Sequence, residues 1–145
     1  MEINDALSFA ADRRHGVLVT LKRDGRPQLS NISYRVGIDG AGSGSVVRVS
    51  ITATRAKYAN LVRDARTSLH ISRDDFYGYV VLEGVAELSP VAADPNDATV
   101  DELVELYRDL AGEHSDWDEY RAAMVDDQRL VLRLRPTHAY GMLAG

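Results

Sequence analysis

The segment Ser50-Ile51-Thr52-Ala53-Thr54-Arg55-Ala56-Lys57-Tyr58-Ala59-Asn60 carries the residues best suited to binding chemistry. Thr54 is a good N-cap for a short helix over 54–64, which places Arg55 and Lys57 in its first turn. Cations there oppose the helix dipole, at about 0.3–1 kcal/mol each. An anion resting on the helix N-terminus reverses that sign, because free N–H groups, the dipole and both cations converge on it. Ser50 and Thr52 lie on one face of the preceding strand and add hydroxyl donors. Asn60 falls three residues beyond Lys57 on the same helix face, while Tyr58, Leu61 and Val62 form the core-facing side. Arg55 offers planar, bidentate contacts to phosphate and Lys57 a point charge. Spacing alone leaves a second reading open, a solvated helix end whose positive residues serve solubility.

A second candidate is the strand opening at Pro27. Gln28, Ser30, Asn31 and Ser33 put polar groups on both of its faces, where a half-buried strand alternates cleanly. Inward amides need partners, which a ring with carbonyl and N–H edges supplies. An edge strand wet on both faces accounts for the pattern equally well. Tyr77 and Tyr79 flank Gly78 beside a turn; an exposed aromatic there either stacks on a ring system or packs the rim.

Other chemistry finds less support. His15, His70, His114 and His138 show no metal-ligand spacing, so no metal is expected. No Gly-x-Ser-x-Gly nucleophile elbow occurs. The loose Gly-x-Gly-x-Gly at 40–44 precedes a strand, not the helix a dinucleotide loop requires. Basic and aromatic residues do not interleave as single-stranded nucleic acid requires. The carboxylates of 94–127 read as a solvated acidic helix face.

The elements that position these residues follow from patterning. Residues 2–14 alternate at helical spacing. Val17–Leu21 and a strand from Pro27 to about Val36 flank Asp24-Gly25, the signal for a two-residue type I′ hairpin. Strands follow at 46–51, 66–72, 79–88 with a bulge at Gly84, and from 130 onward. Thr99-x-x-Glu102 reads as a capping box opening a helix that Gly112 ends. Ser115 is expected to cap a second helix carrying Trp117, Tyr120 and Met124. Six or seven strands, mostly joined by hairpins and with one short helix after the third, exclude a doubly wound parallel sheet. They fit a mainly β (α+β) fold, a small antiparallel barrel with peripheral helices.

The 145 residues predict a single domain over 1–145. Cysteine is absent, which excludes disulfides, thiolate metal sites and a cysteine nucleophile. No apolar run is long enough to span a membrane, and residues 1–14 carry no apolar block, so the cytoplasm is the expected location. The net charge of −5 hides an asymmetry: residues 1–73 hold 12 Lys and Arg against 6 Asp and Glu, residues 74–145 hold 5 against 16. A basic first half suits an anionic ligand, though it also fits two halves that attract each other.

The same residues carry a family likeness. Gly16-Val17-Leu18-Val19-Thr20-Leu21, Asp24-Gly25-Arg26-Pro27-Gln28-Leu29-Ser30-Asn31 and Arg55-Ala56-Lys57 with Asn60 resemble the pyridoxamine 5′-phosphate oxidase-like split β-barrel superfamily. The stretch Leu106-Tyr107-Arg108 through Ala111-Gly112-Glu113-His114-Ser115-Asp116-Trp117 to Tyr120-Arg121 resembles its actinobacterial subgroup that binds the deazaflavin coenzyme F420. The resemblance implies an FMN-binding-like split barrel of six or seven strands. It also implies a homodimer with cofactor sites at the subunit interface. It places a cofactor phosphate against Ser50, Arg55 and Lys57, with Asn60 nearby, and the ring near the strand from Gln28 through Ser30 to Asn31, with Tyr77 as a neighbouring aromatic; Thr52 and Ala56 complete the expected cofactor-binding set.

The expected activity is an F420-dependent reductase acting on a planar conjugated small molecule such as a quinone, enone or tetrapyrrole. The alternatives are an FMN-dependent oxidase or reductase and a non-catalytic F420 carrier; neither nucleic acid nor a membrane is an expected partner. The segment Arg133-Leu134-Arg135-Pro136-Thr137-His138-Ala139-Tyr140-Gly141 echoes the substrate-holding end of true pyridoxamine phosphate oxidases only in Arg135 and His138, which argues against vitamin B6 oxidation. No catalytic acid or base is identified.

Overall fold

The computed structural model describes residues 1–38 and 44–143. Residues 40–43 of the glycine-rich segment lie outside that range. The elements in chain order are α1 (Ile3–Ala11), β1 (His15–Leu21), β2 (Pro27–Ser33), β3 (Arg35–Ile38), β4 (Ser45–Thr52), α2 (Ala56–Arg63), β5 (Arg66–Ser72), β6 (Tyr79–Leu88), α3 (Ala98–Ala111), α4 (Trp117–Asp126) and β7 (Arg129–Met142). The strands form one antiparallel sheet in the order β2-β1-β5-β6-β7-β4-β3, curled into a half-barrel. No described helix is long and apolar enough to cross a membrane.

The inner face builds the main core. Leu18, Val47, Val49, Ile51, Leu69, Ile71, Leu82, Leu132 and Leu134 alternate inward along their strands, and Ala6, Leu7 and Ala10 of α1 pack among them. A second core fastens α3 and α4 over the outer face of β7, through Val100, Leu103, Val104, Met124 and Val131. Trp117 and Tyr120 pack against it, as their helical spacing predicts. The remaining outer face is open and mixed, with exposed apolar side chains among polar ones: Leu29 is 61% exposed, Val85 55%, Tyr140 45% and Met142 55%.

Several local expectations need correction. The β1–β2 hairpin closes with Gly25 N–H donating to Lys22 O and Lys22 N–H donating to Arg26 O. Gly25 has φ of 85°, while Asp24 has no positive φ. This is a three-residue connection with a glycine bulge, not a type I′ turn. The second strand breaks at Tyr34, which turns into the core and donates from its hydroxyl to Ala10 O. The short helix therefore follows the fourth strand. Arg55, not Thr54, is the N-cap of α2, because Arg55 N–H folds back to Thr52 O. Val62 lies on the solvent side, 65% exposed.

The capping box also fails. Asp97 caps α3, its carboxylate accepting from the amides of Ala93, Asp94 and Val100. Two carboxylate oxygens serve three donors there, more than the single Thr99 hydroxyl can, and that hydroxyl donates to Pro90 O instead. Asp116 caps α4 in place of Ser115. The bulge at Gly84 occurs where β6 and β7 shift register.

Candidate functional site

β4, α2 and the start of β7 bring one group of the expected residues together. Ser50 and Thr52 face outward on β4, and Thr52 lies opposite Arg129 of β7. Arg129 donates from a terminal guanidinium nitrogen to Ser50 Oγ at 3.4 Å. Arg55 and Lys57 stand at the head of α2, which has no side-chain N-cap. Burial, then the charges of Arg55 and Arg129, hold the Lys57 ammonium below its ordinary pKa. Three cations therefore crowd one place. Among the described residues none of the three is in an ion pair.

The buried Nε of Arg129 has no hydrogen-bond acceptor. Arg13 Nε shares that condition, but the Arg13 guanidinium lies 3.7 Å over the Phe9 ring and donates to Phe9 O. Among the described residues no aromatic ring covers the Arg129 guanidinium. A buried polar atom without a partner is uncommon and calls for a missing acceptor. These residues thus fit a phosphate-bearing group: Arg55, Lys57 and Arg129 supply charge, and Ser50 and Thr52 supply hydroxyls.

Asn60 stands apart from this cluster. It is buried, donates to Thr20 Oγ1 at 3.1 Å and accepts from Arg63 at 3.0 Å. Its amide ties α2 to β1, so within the chain it positions the helix. Gln28 and Ser30 lie on the inner face of edge strand β2, opposite Thr20 and Leu18. The pairing Gln28–Thr20 and the bond Thr20–Asn60 link that edge to α2, three residues from Lys57.

Asn31 faces the other way. It lies opposite Val17, which in turn faces His70. His15, Asn31, Ser33, His70 and Ser72 line an open groove of about 590 Å³ on the outer face. Tyr79 stacks on His70 with ring centroids 5.2 Å apart. Tyr77 sits on the turn beside it, 79% exposed, after Phe76 at φ of 72°. The ring-binding candidates thus divide between an inner edge and an outer groove. No cluster of three metal-ligating side chains occurs among the described residues.

Two charged residues escaped the sequence reading. Arg129 is 79 positions from Ser50, so only the β4–β7 pairing joins them. The signal was present in Arg129-x-Val131-x-Arg133-x-Arg135, a strand face with three arginines that demands counterions or a ligand. Glu102 is no part of a solvated acidic face: it lies between Arg48, at 2.8 Å, and Arg133.

The comparisons with known proteins agree with this architecture. A conserved hypothetical protein from Mycobacterium tuberculosis superposes with a TM-score of 0.71 at 23% identity, over 98% of this chain and 84% of its own. A protein named F420 reductase gives 0.67 at 24% identity, over 92% and 94%. HutZ, the heme storage protein from Vibrio cholerae, gives 0.65 at 15% identity, over 97% and 94%. At these identities the likenesses show the fold. The family model for pyridoxamine 5′-phosphate oxidase matches residues 4–143, and the chain belongs to that family.

Proposed function

We propose that this chain is an F420-dependent oxidoreductase, acting as a reductase on a planar conjugated small molecule such as a quinone, enone or tetrapyrrole. The carrying observation is the cluster Arg55, Lys57 and Arg129, three cations without a carboxylate partner beside the hydroxyls of Ser50 and Thr52. Folding alone gives no return for that arrangement, whereas a phosphate supplies the missing charge and acceptors. The F420 reductase among the structural neighbours supports the choice of deazaflavin.

Bound F420 supplies a two-electron hydride; the chain supplies binding, orientation and exclusion of water. Arg55 and Lys57 anchor the phosphate, and Ser50, Thr52 and the backbone at Ala56 complete its cradle. Gln28 and Ser30 on the inner edge of β2 and Asn31 in the outer groove are the two sets of polar groups available to the ring. Tyr77 gives a stacking surface. The proton comes from solvent or from the phenol of Tyr77 or Tyr79, and no catalytic acid is singled out.

We further propose a homodimer in the cytoplasm, with cofactor sites at the subunit interface. The exposed Leu29, Val85, Tyr140 and Met142 on the open outer face support it, because covering that face by a second copy also encloses a groove too open to exclude water alone. Fluorescence titration with F420 and with FMN tests the cofactor. F420 binding tighter than FMN supports the proposal; tighter FMN binding overturns it in favour of a flavin enzyme. Oxidation of reduced F420 by a panel of conjugated acceptors tests the activity. Tight binding with no turnover makes the chain a carrier.

A further inference from the structure

The outer groove is lined by polar side chains that the fold itself does not use. Among the described residues, the side chains of His15, Asn31, Ser33, His70 and Ser72 form no hydrogen bond and no ion pair. Arg73 on the same rim differs, since it donates to the Asp75 carboxylate and to Leu143 O. Strand pairing fixes the arrangement. Asn31 lies opposite Val17, and Val17 lies opposite His70. Asn31 and His70 therefore stand on either side of an apolar residue, about 10 Å apart at the backbone, two strand spacings. Val81, opposite His70 on β6, continues the row and is 5% exposed. His15 and Ser33 pair two residues further along the same face. The half-buried His70 ring lies against Tyr79, 20° from parallel. That stack holds its plane and leaves both ring nitrogens without a partner among the described residues.

An apolar floor between donating walls suits a planar ring with oxygen at its edge. Amide, imidazole and hydroxyl hydrogens complement an oxygen lone pair, and an anionic oxygen most strongly. Asp74, the carboxylate on the lining, stands at the turn end, two residues beyond Ser72. We propose that this groove seats the oxygen-bearing ring of the acceptor, and that His70 donates to the oxygen on which negative charge develops, with Asn31 and His15 as flanking donors. The inference rests on the reductase reading and adds to it the acceptor's seat and a catalytic residue. An acceptor that takes a hydride at carbon forms a C–H bond there and moves its π electrons onto the conjugated oxygen. The negative charge stays on that oxygen until a proton from solvent or a tyrosine phenol forms the O–H bond. A donor already aimed at the oxygen strengthens as the charge grows. A neutral imidazole N–H does this without giving up its proton.

The binding test uses the full chain without cofactor, in phosphate buffer so that the cation cluster is already occupied. The anion of 2-hydroxy-1,4-naphthoquinone carries a planar ring and a charged oxygen together; its methyl ether carries the same ring uncharged. Equilibrium dialysis, read by the absorbance of each probe, gives the two dissociation constants. The wild type is expected to bind the anion about tenfold more tightly than the ether. H70F keeps a flat ring against Tyr79 but has no N–H. It is expected to lose that preference while holding the ether within about twofold of the wild type. H70Q restores an N–H donor and is expected to recover most of the preference. With reduced F420 and 1,4-naphthoquinone, H70F is expected to lower kcat about tenfold or more and to move KM by less than about twofold.

Thermal melting of each variant without ligand guards against a folding defect, and H70Q carries the test if H70F melts early. Equal binding of anion and ether by the wild type overturns the donor role of the groove. H70F that keeps the preference overturns the role of His70 and puts the anion elsewhere, and an unchanged kcat overturns its part in catalysis. A chain that binds F420 but neither probe loses this inference alone. A chain that prefers the anion through His70 but does not bind F420 keeps the groove and loses only the cofactor proposal.

Discussion

Two clusters of cations are built around arginines on the same face of the β4–β7 strand pair, and they differ in their counterions. At the Arg48–Arg133 pair, Glu102 reaches down from α3 and bridges both guanidinium groups. Four residues along, at the Thr52–Arg129 pair, Arg129 lies near Lys57, and among the described residues neither these two nor Arg55 forms an ion pair. Both places are partly buried and both hold clustered cations. One has its counterion built in; the other has only hydroxyls. A cation that folding uses is paired within the chain, and a cation left unpaired beside a buried, acceptor-less nitrogen is available to a ligand. The contrast is the physical ground for proposing the second cluster as the anion site.

The largest effect that can break this comparison is on stability. Glu102→Gln leaves two half-buried guanidinium groups without their anion, and is expected to cost about 2–4 kcal/mol in denaturant unfolding. Cofactor affinity should stay within about twofold, since the change lies on the structural side. An equal loss of affinity would show the two clusters to be one.

Lys57→Met reverses the pattern. Affinity for the cofactor phosphate is expected to fall about tenfold or more, near 1.4 kcal/mol, while the melting temperature stays level or rises. The pH dependence has a definite sign. The Lys57 pKa is lowered in the folded chain, so its charge costs stability, and that cost is relieved as pH rises through the lowered pKa toward 10.5. The stability advantage of Lys57→Met should therefore shrink over that range. Phosphate binding to the wild type should weaken over the same range, measured by titration at stepped pH.

Glu102 supplies the opposite case. Burial alone would raise its pKa, but the hydrogen bonds and charges of Arg133 and Arg48 outweigh burial and hold the carboxyl below 4.5. Its contribution is fully present above 4.5 and is lost as pH falls through the lowered value. Acid titration of stability should show the wild type and Glu102→Gln converging below that pH. The smallest effect is at Arg55, which is exposed: Arg55→Ala is expected to weaken phosphate binding about threefold, with no loss of stability.

Local chemistry made much of this legible. The cations at 55 and 57 are adjacent to the strand that carries Ser50, so one helix and one strand predict their meeting. The bulge at Gly84, the helix stop at Gly112 and the packing role of Trp117, Tyr120 and Met124 are similarly local. What stayed hidden depends on pairing across the chain. Arg129 joins Ser50 only through the β4–β7 register, and Glu102 reaches Arg48 only because α3 folds back over those strands. Asn60 shares a helix face with Lys57 by spacing, yet the packing of α2 on β1 buries it against Thr20. The caps failed for a different reason. At α3 the two oxygens of Asp97 serve three amides, and at α4 Asp116 accepts from Glu119 N–H, so these carboxylates stand as the caps in place of Thr99 and Ser115.

The central claim is that Arg55, Lys57 and Arg129 are kept for a cofactor phosphate and contribute nothing to folding. F420 titration and thermal melting, run on the same preparations of wild type and an R55M/K57M double variant, test it most directly. The account predicts that the double variant loses most of its F420 affinity and melts at or above the wild-type temperature. A double variant that binds F420 like the wild type but melts well below it would contradict the account, because these cations would then belong to the fold.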